Sequence, residues 1–553
     1  MLSRRNHLSH VDSGASPSLD TEHTTDVLVV GFGAAGACAA LEARESGADV
    51  LVVDRFNGGG ATALSGGIIY AGSGTFVQRQ AGVTDTREGM LAYLRHEVGD
   101  SVKPETLQRF VADSPSMIDW LADQGVPFDA TVCPYKTSYP NNRYYLYYSG
   151  SECSGKFRDV TPPVQRGHRV KGKGASGKKL YTPLAKSAAR AGVRFQPHTR
   201  VTRLLLEDEE VTGVEAVTLA DAPAHVRRRF GRMAAVAAKP GIYLPPLRAQ
   251  MERRLDLMEK KFGRRIRIRA RRGVIVCAGG YIANTDMLAK HAPQFKGGLA
   301  LGTTGDDGSG IAMLVEAGAL ADRLDNISVW RFIAPPSVVL SAIVVDTHGR
   351  RMIDESRYGA ALGRAMVTEH DGRGWILADA ALMREAYSQL PNQSLWFHVL
   401  QTMALFQTRR VRAKTLAEVA RRAGVDPEGL AETVTAHNAA IDDGLPDQMG
   451  KSADFRRRIG DGPYTLLDIS VRTSTTYPCP MMTLGGVIVD EETGGVTTAG
   501  GNPIPGLYAA GRTAIGICTN SYVSGLSISD CVFSGRRAGA HASARTPKTV
   551  APG

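Results

Sequence analysis

An α/β fold, in which a parallel sheet carrying a dinucleotide-binding unit is interrupted by a second, inserted domain, is what this sequence predicts. Three observations lead there. Asp26–Val30 is a short apolar run followed by Gly31-Phe32-Gly33-Ala34-Ala35-Gly36 and an alanine-rich helical stretch that ends at Gly47. A second apolar run, Asp49–Val53, closes on Asp54, 21 residues after the second glycine of that motif. Far downstream, Gly273–Gly280 and Leu507–Ala510 are again strand-like runs bounded by glycines, and both read as returning to the same sheet.

A lone G-x-G-x-x-G says little, but here a strand precedes it, a helix follows and an acid closes the next strand. Together these define one βαβ unit of the dinucleotide-binding type. Asn57–Gly74 is glycine-rich and interleaves small with apolar residues, so its backbone amides can wrap a pyrophosphate. Asp85–Gly125 reads as amphipathic helix. Thr137–Glu152 is dense in tyrosine (Tyr139, Tyr144, Tyr145, Tyr147, Tyr148), and Arg166–Lys179 is a basic, glycine-rich loop before a helix at Leu180–Gly192. Val193–Thr199, Val201–Leu206 and Val211–Val217 read as a small β-meander. Gly302–Gly310 leads into an amphipathic helix at Ile311–Gly318, and Ser337–Met482 mixes strands and helices as a second domain. No internal repeat is visible. The boundaries expected are a disordered tail at 1–22, a cofactor domain at 23–310 and a catalytic domain at 311–482. Residues 483–553 return to the first domain and end in a C-terminal tail.

The segment Gly506–Gly539 carries the most chemistry. After Gly511-Arg512 comes a loop of small residues, then Tyr522-Val523-Ser524-Gly525 at the start of a helix. Small residues let backbone approach a flat cofactor, and a helix start offers unpaired N–H groups and a positive dipole end.

Composition bounds the rest. The 553 residues are 43% hydrophobic and 22% charged, the values of a globular soluble protein. No apolar run is long enough to span a membrane, and no apolar stretch follows Arg4-Arg5 as a signal peptide requires. The seven cysteines show no metal spacing and read as buried, reduced thiols, which fits a cytoplasmic setting and no metal site. The net charge of +11 comes from one window: His225–Arg272 holds 16 Lys/Arg against three acids, +13, leaving about −2 elsewhere. This basic helical insertion, 225–272, places Leu247, Met251, Leu255 and Met258 on one side of a helix. It reads either as a peripheral contact with anionic lipid on the inner membrane face or as a solvated excursion or oligomer contact. Without a recognition fold the charge does not imply nucleic acid.

Over Asp26–Val217 and Gly273–Ala540 the chain resembles the FAD-dependent fumarate reductase/succinate dehydrogenase flavoprotein superfamily and, within it, the 3-ketosteroid dehydrogenases. That resemblance implies a Rossmann-like FAD-binding domain with an inserted α+β catalytic domain. It also implies FAD held non-covalently, because the histidine that attaches FAD covalently in some relatives is missing. Gly31, Gly33 and Gly36 are then expected at the pyrophosphate, Asp54 at the adenosine ribose, Val201 at the adenine and Gly511-Arg512 at the ribityl chain, with Ala35 and Arg55 also among the cofactor-binding residues. Ala61, Thr62, Ser65, Gly66 and Gly67 follow along the cofactor, as do Ala278, Gly279, Asp306, Gly511, Arg512, Gly525, Leu526 and Ser527. Fumarate reductases carry a dicarboxylate-binding histidine two residues before the threonine of a segment like Met481-Met482-Thr483-Leu484-Gly485-Gly486; the position here is Met481, which offers no charged partner.

Gly349–Met366 is similar to the stretch where ketosteroid dehydrogenases keep a catalytic tyrosine, here Tyr358, and their second tyrosine matches Tyr522. Where the Δ1 enzymes place a glycine four residues after that tyrosine, this chain has Leu526, whose backbone N–H remains. Tyr522-x-Ser524-Gly525 is more similar to the Δ4-(5α) type. The implied reaction is formation of a ring-A double bond, Δ4-(5α) or Δ1, in a steroid or other apolar ketone, with electrons passing from flavin to an external acceptor. Such a reaction needs an acid at the carbonyl oxygen, a base at the α-hydrogen and a hydride acceptor. Tyr522 is the expected electrophile, and Tyr358 and Ser524 are candidates to take or relay the proton. The alternatives are an ene-reductase of an unsaturated ketone or acid on the same fold, and a binding module with structural FAD.

Overall fold

The computed structural model describes residues 22–474 and 476–547; the expected N-terminal tail, except Glu22, and the last six residues lie outside the described residues. Val27 and Val29 of Glu22–Val30 (β1) are buried on one side of a sheet, Leu28 and Val30 on the other. The stretch Val27–Val30, covered on both faces, is apolar throughout, as the interior of a parallel sheet requires. Val50–Val53 (β2) lies parallel to β1 with Val50 opposite Val27. On the other flank Arg264–Val276 also runs parallel to β1, followed outward by Pro503–Ala509, where Leu507 pairs Val274. Gly495–Thr497 closes that edge antiparallel. The glycines after Val276 and Ala509 thus return to the ends of neighbouring strands.

Two elements differ from the sequence expectation. Arg194–Gln196 does not join the meander; it pairs in parallel with β2, delivered there by the crossover helix Gly177–Arg190. Thr199–Glu207 and Glu210–Thr218 form an antiparallel hairpin, and the second strand pairs with Arg264–Arg269. The long strand therefore begins at Arg264, and residues 264–272 of the basic segment are strand, not helix. The period is two: Ile266, Ile268 and Ala270 are buried while the arginines between them point outward, Arg269 lying 2.8 Å from Glu22 and Arg271 2.9 Å from Asp26. The helical part of the insertion is Ala224–Ala238 and Pro245–Phe262.

The helix Ala34–Glu45 (α1) crosses from β1 to β2, and the C-terminal helix Leu526–Ala544 packs along it. Their approach is backbone-close: a Cβ on Gly535 would stand 2.5 Å from the Ala35 carbonyl, and one on Gly539 2.4 Å from that of Ala39. The second domain holds an antiparallel sheet in the order Ile343–Val345, Trp375–Ala378, Tyr464–Asp468, Arg410–Ala413, with its own apolar cores. A three-stranded sheet of Leu299–Ala300, Pro480–Thr483 and Ile327–Val329 lies where the chain passes between the two sheets. A further small sheet pairs Ile68–Tyr70 and Leu146–Tyr147 with Gly167–Arg169.

Gly535→Val forces a branched side chain into the interface between α1 and the C-terminal helix. It is expected to lower stability by about 1–3 kcal/mol in denaturant unfolding, the usual cost of overpacking.

Candidate cofactor and substrate cleft

The carboxyl ends of β1, β2, Arg264–Val276 and Pro503–Ala509 open onto one cleft of about 1320 Å³, whose far wall comes from the second domain. That exceeds the roughly 300–1,000 Å³ of an ordinary small-molecule pocket, and the strand ends are where α/β sheets bind dinucleotides. The lining fits such a group. Gly31 adopts φ +97°, and a Cβ there would meet the Cys277 carbonyl at 2.4 Å. Gly36 does not face the cleft: its missing Cβ would sit 1.9 Å from the Gly31 carbonyl, so this glycine lets α1 approach the turn. The N-terminus of α1 has no side-chain cap at Gly33; Ala34 N–H donates to Thr62 Oγ1 at 3.0 Å. Asp54 accepts from the amides of Phe32 (2.8 Å) and Phe56 (2.7 Å), and burial raises its pKa above the ordinary value. Across the cleft Asp306 pairs with Arg512 and accepts from Thr303 N–H at 2.8 Å. The Arg512 Nη1 is buried with no hydrogen-bond partner, a donor left over for a ligand.

At the other end of the cleft the hydroxyls converge. Tyr522 stacks on Trp330 with ring centroids 4.7 Å apart, and Tyr358 lies 6.1 Å from Tyr522 and 5.4 Å from Phe332. Tyr358 caps the helix Gly359–Glu369, and its amide donates to Ser151 Oγ at 3.2 Å. Ser524 is buried; its amide donates to the Ser149 carbonyl at 3.1 Å, and its Oγ accepts from Tyr147 Oη at 3.2 Å. Burial drives the Tyr358 and Tyr147 phenols well above the ordinary tyrosine pKa and raises that of Tyr522, while hydrogen bonding to Ser524 opposes the rise at Tyr358 and Tyr147. All three therefore hold their protons at neutral pH and act as donors. Beyond them the chamber is mainly apolar and aromatic, lined by Trp330, Phe332, Pro335, Phe397, Tyr477 and Met482, with Arg331, His398 and Gln401 also on the cleft wall.

The structure brings Tyr358, Tyr522, Ser524 and every expected cofactor residue except Gly36 and Leu526 to the lining of this cleft. Leu526 is fully buried and its N–H donates to the Val523 carbonyl at 3.1 Å, so that amide is spent inside the turn. Arg55 borders the cleft, but its guanidinium is taken up by Asp256 (2.6 Å), Glu259 (2.8 Å) and Asp307 (3.4 Å). Met481 turns into the core, and strand alternation presents Met482 to the cleft instead; both are methionines, so no charged partner stands there. Of the tyrosine-dense segment, Tyr139 lines the cleft and Tyr147 reaches Ser524, whereas Tyr145 donates to the Asn142 carbonyl and Tyr144 packs on Tyr135. Trp330 and Phe332 carried no signal in the sequence.

Of the face read as a lipid contact, Leu255 (1% exposed) and Met251 (9%) are buried, Met258 packs on the small core of the insertion and Leu247 is half-buried. Among the described residues no helix is long and apolar enough to cross a membrane, and no cluster of metal-ligating side chains is found.

Residues 26–525 match the family model described as FAD binding domain. The chain is 36% identical over 513 residues, 91% of its length and 95% of the relative's, to the 3-oxo-5-alpha-steroid 4-dehydrogenase of Comamonas testosteroni. It is 24% identical to the NADH:fumarate oxidoreductase of Klebsiella pneumoniae over 94% of this chain but 48% of that protein. Among solved structures it superposes with a TM-score of 0.79 and 28% identity on the 3-ketosteroid-delta4-(5alpha)-dehydrogenase of Rhodococcus jostii in complex with 4-androstene-3,17-dione, covering 96% of this chain and 99% of that one. The chain thus belongs to the FAD-binding family of flavoprotein oxidoreductases. Its cofactor is FAD, and it is an oxidoreductase acting on CH–CH bonds.

Arg512→Met leaves the Asp306 carboxylate buried without its cation. Breaking a buried pair this way is expected to cost about 3–5 kcal/mol in apoprotein unfolding, and purified protein should carry less flavin by absorbance.

Proposed function

We propose that the chain is an FAD-dependent 3-ketosteroid dehydrogenase that forms the 4,5 double bond of a 5α-reduced steroid. The observation that carries this reading is the cluster of Tyr522, Tyr358 and Ser524 at the end of an aromatic chamber, beside the FAD half of the cleft. The two 3-ketosteroid 4-dehydrogenase relatives support the ring position, and so does Tyr522-x-Ser524-Gly525.

Protonated phenols define the division of labour. Tyr522, held against Trp330, donates to the ketone oxygen, so the adjacent C–H becomes more acidic. Ser524 accepts that proton at Oγ. Tyr147 already donates to this oxygen, which leaves the serine's own hydrogen free to pass to Tyr358 as the Tyr358 phenol gives up its own proton to solvent, so that no hydroxyl ends with an extra proton. The bound flavin supplies the acceptor for the hydride leaving the neighbouring carbon, so one proton and one hydride depart and one C=C forms. An external acceptor would then take the electron pair. The apolar walls exclude water and select a rigid hydrocarbon ligand over a dicarboxylate, which would meet Met482 where it needs a cation.

Incubation with a 5α-3-ketosteroid and an artificial electron acceptor should yield the 4-ene product; a 1,2-unsaturated product alone would overturn the ring assignment. Tyr522→Phe is expected to lower kcat about 10²–10⁴-fold with flavin content unchanged, the range for losing a general acid. Tyr147→Phe should lower kcat less than Ser524→Ala does, and unchanged turnover in Tyr147→Phe would remove that phenol from the relay.

A further inference from the structure

Between Thr218 and Arg264 the chain leaves the sheet and makes a helical hairpin, Ala224–Ala238 and Pro245–Phe262. The hairpin has its own small core, in which Phe230 and Leu255 are buried. It also reaches both banks of the dinucleotide cleft. On the β2 side, Phe230 stacks on Phe56 with centroids 6.1 Å apart, and Asp256 and Glu259 take Arg55 at 2.6 and 2.8 Å. On the opposite bank, the buried Arg248 donates to the Thr303 carbonyl at 2.8 Å, in the loop that carries Asp306. Between these two latches, Ala235, Ala238, Lys239 and Tyr243 line the cleft together with Asp54 and Val201. The acid at the end of β2 marks the ribose of the adenosine half, so the hairpin stands at the adenosine end of the cleft and not at the steroid end.

We propose that the hairpin is part of the cofactor site: Ala235, Ala238, Lys239 and Tyr243 wall the adenosine diphosphate half of FAD, and Arg55 and Arg248 fasten that wall across the cleft. Arg55 is then a positioning residue and not a phosphate ligand, because three carboxylates already compensate its charge. The alanines explain how a helix can lie flat against a purine or ribose: short side chains leave room for the ligand to approach the helix. Two of the three acids of this otherwise basic segment, Asp256 and Glu259, sit on Arg55, and the third, Glu252, pairs with Arg248 at 3.0 Å.

The test uses purified holoenzyme and no steroid, so its failure is separate from any failure of the substrate assignment. FAD release on dilution is followed by recovery of free-flavin fluorescence, and apoprotein is titrated calorimetrically with ADP and with FMN, which lacks the adenosine half. Asp256→Asn/Glu259→Gln opens the latch, and Tyr243→Ala, a change at a 38% exposed side chain, removes part of the wall should the double variant fail to fold. Each is expected to release FAD at least tenfold faster and to weaken ADP by a similar factor, with FMN affinity unchanged. Release rates and ADP affinities within twofold of the parent in the folded variants would overturn the proposal. Equal loss of FMN and ADP affinity would overturn it as well, because the effect would then not belong to the adenosine half.

Discussion

The left-handed turn at Gly525 is the constraint on which the rest of the site depends. Its φ of +97° is combined with a space so narrow that a Cβ would stand 2.7 Å from the Tyr70 amide. A glycine is required on both counts. The turn starts the C-terminal helix against the small sheet, where Ser529 Oγ accepts from Tyr70 N–H at 2.8 Å and donates to the Tyr70 carbonyl at 2.8 Å. It thereby aims the uncapped helix N-terminus into the cleft, lays Tyr522 on Trp330 and drops Ser524 beside Tyr147. Glycines further along the same helix seat it on α1, whose own N-terminus faces the cleft from the fingerprint turn. Two helix starts, neither capped by the side chain of its own N-cap residue, converge on one volume, and their positive dipole ends suit a pyrophosphate at one end and negative charge at the other.

Burial then decides what the hydroxyls do. A phenol exposed to water is half ionised near pH 10; desolvation pushes those of Tyr358, Tyr147 and Tyr522 upward. The site therefore has no standing phenolate, and under the proposed function a proton taken from substrate moves through a chain of hydroxyls that each give one up as they receive one. The apolar chamber that raises these pKa values is also suited to a hydrocarbon ligand, so under the proposed function one physical feature bears on both proton chemistry and substrate class.

What was legible in the sequence was local. Gly31 to Gly36, Asp54 and Tyr522 to Gly525 are short motifs whose residue types carry their geometry, and the cleft is built around them. Tyr147 was not singled out, because its partner Ser524 lies 377 residues away and five tyrosines crowd one segment; only the pairing of Leu146–Tyr147 with Gly167–Arg169 selects it. Arg264–Arg272 was read as part of a basic helical insertion because its charge masked a clear period of two. Met481 was assigned to the cleft and Met482 faces it, since register within a strand is set by its neighbours and a shift of one residue changes the face. Arg55 looked like a cofactor ligand until the hairpin's acids were in view.

The central claim is that hydroxyl donors at the end of an apolar chamber activate a ketone for oxidation by bound FAD. The most direct measurement is anaerobic, single-turnover bleaching of the bound flavin by paired 5α-steroids that differ only in carrying a 3-ketone or a 3-hydroxyl. The account predicts bleaching by the ketone and none by the alcohol. Equal bleaching by both, or none by the ketone, would contradict it.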